Sequence, residues 1–345
     1  MSHTVRVGII GGGWPGKAQA RGYAATTGFK IMAIADLIPE RRKAMMDEFH
    51  IPAEFAEATE LIEKGDVDAV SICLPNHLHA PTAIAALKAG KHVLCEYPPT
   101  TSVKEAKAIE RAAAQAQKVV LYAAPRRFGA CEQAAEQTIV KGYAGGVYHA
   151  RAAWMRTRAV PVGTGWFTDK SRSGGGALVD IGLHMLDLAW RLLGQPRPVA
   201  AFGMTHRRFL PTDPGQGTPA DVEDAAFAML RFEAGKSLEL AASWAINQPP
   251  SQQGTLCRIY GETGAVDVYT PAGAVMHRGF DAAGQSKETP LKLPKTIGYA
   301  AIARHFHDCI SGKTTPQAGT KEGVVLMQMV EAIYKSAEKG IGVRL

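Results

Sequence analysis

The sequence predicts an α/β protein in two parts. An N-terminal, doubly wound parallel sheet spans residues 1–125. A C-terminal α+β domain with an open, mostly antiparallel sheet spans residues 126–345. Three observations carry this. Short apolar, β-branched runs alternate with helical segments through the first third. A glycine-rich turn follows the first of those runs. Beyond Ala124 the rhythm becomes back-to-back stretches of alternating polarity separated by turn residues.

The first element is VRVGII (5–10), a buried parallel strand by its unbroken apolar character. It runs into Gly11-Gly12-Gly13-Trp14-Pro15-Gly16, in which Gly11, Gly13 and Gly16 fit G-x-G-x-x-G. The first glycine permits the tight turn, the second lets backbone approach a pyrophosphate, and the third lets the next helix pack close to the strand. That helix aims its N-terminal N–H groups at the phosphates, and Pro15 suits its first turn because the missing N–H has no partner there. FKIMAIAD (29–36) is a second strand ending in an acid, and Asp36 falls twenty residues after Gly16. A carboxylate there binds the adenosine ribose hydroxyls and favours NAD. Arg41 and Arg42 follow within a turn and pull toward NADP, and Asp36 also suits a helix N-cap before Pro39.

Strand, helix and strand then repeat: DAVSICLP (68–75), PTAIAALKAG (81–90), KHVLCE (91–96), SVKEAKAIERAAAQAQ (102–117) and KVVLYAA (118–124). This is the pattern of a Rossmann domain with right-handed crossovers. Ligands sit at the carboxyl ends of such strands. Gly11–Gly16, the segment Leu74-Pro75-Asn76-His77-Leu78-His79, and Glu96-Tyr97-Pro98-Pro99 all fall at such ends, so they are expected to line one crevice. Asn76 and His79 are read as touching cofactor or capping the next helix. His77 and His79 lack further ligands at metal-site spacing, so no metal is expected.

The second part shows alternating stretches at 146–156, 226–235, 236–245, 255–262 and 264–270, with hairpin turns at 232–237 and 261–264 and a loop at 211–221. Helices are expected on one sheet face, leaving the other for contacts between subunits. The segment SGGGALVDIGLHMLDLAWRLLG (173–194) ends in a helix. On an α-helical wheel Asp180, His184, Asp187 and Arg191 project at about 0°, 40°, −20° and 20°, and apolar residues fill the rest. So narrow a polar stripe implies partial burial, where polar groups need partners. Asp180 and His184 read as an acid/base pair. An Asp187–Arg191 ion pair with a structural His184 reads equally well from the helix alone. The preceding glycines favour the first reading, since such a run lets backbone approach a ligand. Trp166 and Phe167 supply an apolar wall.

Composition narrows the classes. Hydrophobic content of 46% and charged content of 21% fit a globular chain with real cores. No apolar run approaches the roughly 18 residues that span a bilayer, and no secretory pattern is visible at the start. Five widely spaced cysteines show no metal or redox motif and fit a reducing cytoplasm. The net charge of +7 comes without a long basic run interleaved with aromatics, so a nucleic-acid partner is not expected.

The motifs VGIIGGGWPG, AIADLIPER, ICLPNHLHAP, KHVLCEYP, RRF (126–128), WFTDKSRSGGGALVDIGLHMLDL and DVEDAA (221–226) stand in the order seen in the Gfo/Idh/MocA oxidoreductases, and nearly the whole chain resembles that family. The resemblance implies a nicotinamide cofactor, NAD or NADP, a sugar or cyclitol substrate, and a homodimer or homotetramer. In such dehydrogenases a strand-end Glu-Lys-Pro places its lysine against the nicotinamide ribose and substrate, and the helix histidine is the general base. Glu96, Pro98, Asp180 and His184 match, Tyr97 replaces the lysine, and Gln19 stands where many members have histidine. Tyrosine, with an ordinary pKa near 10, brings no fixed positive charge. It retains a hydrogen bond to a substrate or ribose hydroxyl, and it could relay a proton if a nearby cation such as Arg126 or Arg127 lowered its pKa.

The leading functional reading is a dehydrogenase or reductase of a sugar-like polyol, with His184, Asp180 and Tyr97 catalytic. Arg126, Arg156 and Trp166 join them around the substrate. Arg156, Arg158 and Arg172 lie on segments able to reach it, which leaves room for an anionic sugar. The alternatives are an enzyme that keeps its NAD and oxidises a sugar transiently to cleave or isomerise it, and a nucleotide- or sugar-binding protein weakened by loss of the lysine.

Overall fold

The computed structural model describes residues 4–161, 165–210, 220–280, 283, 285–295 and 297–345. Residues 211–219 of the expected loop lie outside these. The N-terminal part runs β1 (Val5–Ile10), α1 (Trp14–Ala24), β2 (Phe29–Ala35), α2 (Pro39–Phe49), β3 (Ala53–Phe55), α3 (Ala58–Lys64), β4 (Ala69–Ile72), α4 (His79–Lys88), β5 (His92–Cys95), α5 (Val103–Ala116) and β6 (Val120–Tyr122). Its strands lie parallel in the order β3-β2-β1-β4-β5-β6. The sheet is buried on both faces, with Val7, Ile9, Ile10, Val70, Ile72, Val93 and Leu94 inaccessible to solvent. That is why these strands read as continuous apolar runs. The order reverses between β1 and β4, the topological switch point at which such sheets bind their ligands. The three-residue β3 was not foreseen. It is too short to show a period and exists by pairing with β2.

The chain continues through α6 (Ala130–Val140), β7 (Val147–Met155), α7 (Lys170–Ser173), a π-helical turn (Leu178–Gly182), α8 (Leu183–Leu192), β8 (Pro198–His206), β9 (Ala225–Phe232), β10 (Ser237–Ser243), β11 (Gly254–Gly261), β12 (Gly264–Thr270), β13 (Gly273–Phe280) and β14 (Ser286–Pro290). It ends with α9 (Gly298–Ile310), α10 (Thr320–Lys339) and β15 (Val343–Arg344). Strands β7–β15 form one sheet, antiparallel except where β7 meets β10. The turns at 232–237 and 261–264 join antiparallel neighbours. β8, β13, β14 and β15 escaped the sequence reading. β14, for example, is the exposed polar stretch SKETP and becomes a strand only by pairing with β13. Helices α6 and α8 cover one face. Phe202, Met204, Met229 and Leu256 stand exposed on the other.

The chain divides into two compact units, Met1–Phe128 with Thr296–Met327, and Gly129–Lys295 with Gln328–Leu345. The first crossing falls between Phe128 and Gly129. Residues 296–327, which the sequence reading gave to the second domain, return to the first unit. There Ile302, Ala303 and Phe306 of α9 enter its core, and Phe306 stacks on Phe29. An amphipathic helix carries no mark of which sheet it will cover.

Candidate active site

In the first unit the glycine turn is built as its pattern requires. Gly11 adopts φ +100°, a left-handed conformation that only glycine reaches freely, and a Cβ there would collide with the Cys73 carbonyl oxygen. A Cβ on Gly16 would overlap the Gly11 carbonyl oxygen, so the turn closes only without one. At Gly13 a Cβ would meet nothing nearer than Pro15 at 3.8 Å, leaving that backbone open to a ligand. Helix α1 begins with Trp14 and Pro15, without a side-chain cap or an acid in its first turn. Its N-terminal N–H groups and partial positive charge are left for an anion.

Asp36 follows β2. Its Oδ2 accepts from Gly12 N–H at 2.7 Å and its Oδ1 from Ile38 N–H at 2.8 Å. The carboxylate is thereby fixed beside the turn with lone pairs left over, as ribose recognition needs. Arg41 Nη1 stands 3.9 Å from Asp36 Oδ2. These residues fit a dinucleotide: a cradle for the pyrophosphate and a pinned carboxylate for the ribose.

The loop after β4 carries Leu74, Pro75, the turn Asn76–Leu78 and His79. His79, read as touching cofactor or capping the next helix, opens α4. It is fully buried, with Nδ1 2.8 Å from the Pro98 carbonyl and Nε2 2.8 Å from the Leu74 carbonyl. Burial holds its pKa below the ordinary value, against the pull of the two carbonyls. The neutral ring has one N–H to donate to one of these carbonyls, and both ring nitrogens face inward onto the loops after β4 and β5. Asn76 is also buried.

Glu96, at the end of β5, accepts from Gln19 Nε2 at 2.6 Å and from Tyr299 Oη at 3.4 Å. Burial pushes its carboxyl up to about 7, opposed by these hydrogen bonds. Tyr299 lies on α9 and packs edge-on against Trp14. Nothing in GYAAIARHF ties it to a strand end about two hundred residues earlier, so its place here is not legible in the sequence. The Tyr97 ring meets Tyr122 edge-on at 6.4 Å, and a cis peptide joins Tyr97 to Pro98. Arg126 is half-buried in the turn Pro125–Phe128, and its neighbour Arg127 is buried with its guanidinium on the Gln317 carbonyl.

In the second unit the π-helical turn carries Asp180 and leads straight into α8, which carries His184. The wheel assumed α-helical spacing throughout, so the expected stripe is distorted at its start. Wide turns of this kind recur at functional sites. Asp180 Oδ2 accepts from Trp244 Nε1 at 2.7 Å. Burial raises the Asp180 pKa, while Trp244 and the charge of Arg156 lower it. The Trp154 ring lies 6.2 Å from the His184 ring and carries the Arg156 guanidinium at 4.9 Å. Asp180, His184 and Arg156 therefore gather around two tryptophans that the sequence reading did not single out.

The other half of the stripe resolves differently. Arg191 pairs with Glu136 of α6 at 2.7 Å, and Asp187 is buried. The glycine run packs within the protein rather than awaiting a ligand. A Cβ on Gly175 would strike the Tyr334 hydroxyl, and one on Gly176 the Glu223 carbonyl. The Glu223 carboxylate accepts from Gly176 N–H at 3.0 Å, Leu178 N–H at 2.9 Å and Tyr334 Oη at 2.9 Å. It thus secures the N-terminal end of the helical segment that carries Asp180 and His184. Trp166 packs on Phe167. Arg158 is engaged with the Ile246 carbonyl, Asn247 and the Phe209 ring, and Arg172 with the Gly165 carbonyl. Among the described residues no group of three or more His, Cys, Asp or Glu is placed to hold a metal ion.

Residues 5–124 match the model of an oxidoreductase family with an NAD-binding Rossmann fold, and residues 133–267 match a GFO/IDH/MocA C-terminal domain. D-glucoside 3-dehydrogenase of Escherichia coli K12 is 29% identical, the alignment covering 100% of this chain and 98% of the relative. A putative UDP-kanosamine synthase oxidoreductase subunit of Amycolatopsis mediterranei is 30% identical over 98% of each chain. A solved structure of levoglucosan dehydrogenase in complex with NADH and levoglucosan superposes with a TM-score of 0.86 at 26% identity, covering 99% of both chains.

Proposed function

The chain belongs to the GFO/IDH/MocA oxidoreductases, and on that premise we propose that it transfers a hydride between NAD(P) and a hydroxyl or keto carbon of a sugar, a cyclitol or a related polyol. The observation that carries this is the uncapped, acid-free start of α1 beside the pinned Asp36 carboxylate, a preformed dinucleotide cradle. Bound nicotinamide supplies the hydride acceptor. In the oxidative direction His184 takes the proton from the substrate hydroxyl as the C–H hydride leaves, and returns it in reduction. Asp180, steadied by Trp244 and Arg156, binds and orients the polyol. Tyr97 donates a hydrogen bond to a substrate or ribose hydroxyl. It lacks the fixed charge of a lysine, a loss worth on the order of 10²–10³ in rate. Of the three arginines considered for an anionic sugar, Arg158 and Arg172 are engaged elsewhere, and Arg156 serves Asp180. We therefore favour an uncharged substrate.

NAD+ and NADP+ offered with a panel of sugars and cyclitols test the reading through NADH or NADPH formation. His184→Ala is expected to lower kcat by about 10²–10⁴, and unchanged turnover would remove His184 from the mechanism. One NADH per product separates net oxidation from a reaction that returns the hydride to its own product. The relatives' names, dehydrogenase and reductase among them, favour the former. Tyr97→Lys is expected to raise the rate.

We also propose that a second copy of the chain covers the apolar sheet face of Phe202, Met204, Met229 and Leu256, because so contiguous a patch is costly to leave in water. We place the protein in the cytoplasm, since its five cysteines are free thiols. Among the described residues no helix is long and apolar enough to cross a membrane.

A further inference from the structure

Two arginines follow Asp36, and the geometry treats them differently. Arg41 is half exposed, at 52%, and only loosely paired with Asp36. Arg42 is 14% exposed, and its Nε donates to Glu54 at 2.7 Å. Its Nη1 donates to the Asp36 backbone carbonyl, also at 2.7 Å. Glu54 lies on β3, opposite Ile34 of β2, so it reaches the guanidinium from the neighbouring strand. A 2′-phosphate on the adenosine ribose is recognised by an arginine beside the acid that otherwise holds the 2′-hydroxyl. Arg42 is adjacent to that acid but is turned toward β3, with its Nε held by Glu54 and its Nη1 by the Asp36 carbonyl.

We propose that Glu54 is a specificity-determining residue: by latching Arg42 it withholds a cation from the 2′ position and makes the protein prefer NAD over NADP. This rests on reading Asp36 as the ribose-binding acid. Arg41 is then the one member of the pair left to meet a 2′-phosphate, which leaves NADP a weaker second choice. Glu54 also adds a negative charge near the site, so a variant lacking it mixes two effects, release of Arg42 and relief of repulsion. Removing Arg42 as well separates them.

The test is binding of NADH and NADPH, read by nicotinamide fluorescence and by calorimetry, with wild type, Glu54→Ala, Arg42→Gln and the double variant. The wild type is expected to bind NADH more tightly. Glu54→Ala is expected to improve NADPH relative to NADH by about tenfold, the worth of one charge-assisted contact, and the double variant to lose that gain. Arg42→Gln alone is expected to leave the ratio near that of wild type, because its guanidinium is already withheld. A gain that persists in the double variant overturns the latch in favour of simple repulsion. An unchanged ratio in Glu54→Ala, with NADH still bound, overturns it outright, and melting curves confirm that each variant is folded. Failure of the wild type to bind either nucleotide would instead overturn the dinucleotide reading of the cradle.

Discussion

Glu96→Gln tests the buried strand-end acid most directly. In the folded chain burial raises the Glu96 carboxyl from 4.5 to about 7. Below pH 4.5 it is protonated in both folded and unfolded chains and contributes no pH dependence. Between pH 4.5 and 7 the unfolded chain releases the proton while the folded chain keeps it, so the folded state loses stability as pH rises. Above about 7 the loss is complete. At 1.36 kcal/mol per pH unit the shift corresponds to about 3 kcal/mol. Glutamine keeps the shape and an acceptor for Tyr299 but cannot ionise. Urea unfolding of both proteins at half-unit steps from pH 4 to 8 is the assay. The difference in unfolding free energy, variant minus wild type, is expected to climb by about 3 kcal/mol across that window and then level off. A difference that is flat with pH would refute the reasoning, because it would mean that Glu96 ionises in the fold as readily as in water.

Trp244→Phe removes the N–H donated to Asp180, so the already raised Asp180 pKa is expected to rise further. The acidic limb of the kcat/KM profile should move to higher pH, and an unmoved limb would detach Asp180 from the observed titration. Glu223→Ala strips two backbone N–H groups and the Tyr334 hydroxyl of their buried acceptor and is expected to cost about 2–4 kcal/mol, measured by urea denaturation. Gly11→Ala forces a Cβ into the Cys73 carbonyl at positive φ. NADH binding by fluorescence titration should be lost, and retained affinity would contradict the cradle. Met229→Glu places a charge on the apolar sheet face and should lower the mass found by light scattering if that face joins two copies.

The sequence alone determined the periodic elements and the residues whose chemistry is local. Gly11, Gly16 and Asp36 were legible because a turn with left-handed backbone, a close helix–strand approach and a strand-end acid are each written within a few residues. Asp180 and His184 were legible as a polar pair on an apolar helix, although the π-helical turn that carries Asp180 was not, since it changes the period without changing the composition. The triple glycine was legible as a point of close approach but not in what approaches it, because Glu223 and Tyr334 come from distant segments. The same limit applies to His79, whose ring turns inward toward two backbone carbonyls only once the loops after β4 and β5 are folded together. Tertiary structure also supplied Trp154 from β7, Trp244 from the bend after β10, Tyr299 from a helix that returns to the first unit, and Glu54 from a strand too short to show a period. A side chain's partners across a sheet or core depend on which elements pack together. Apolar periodicity fixes that each element is buried, but not against what.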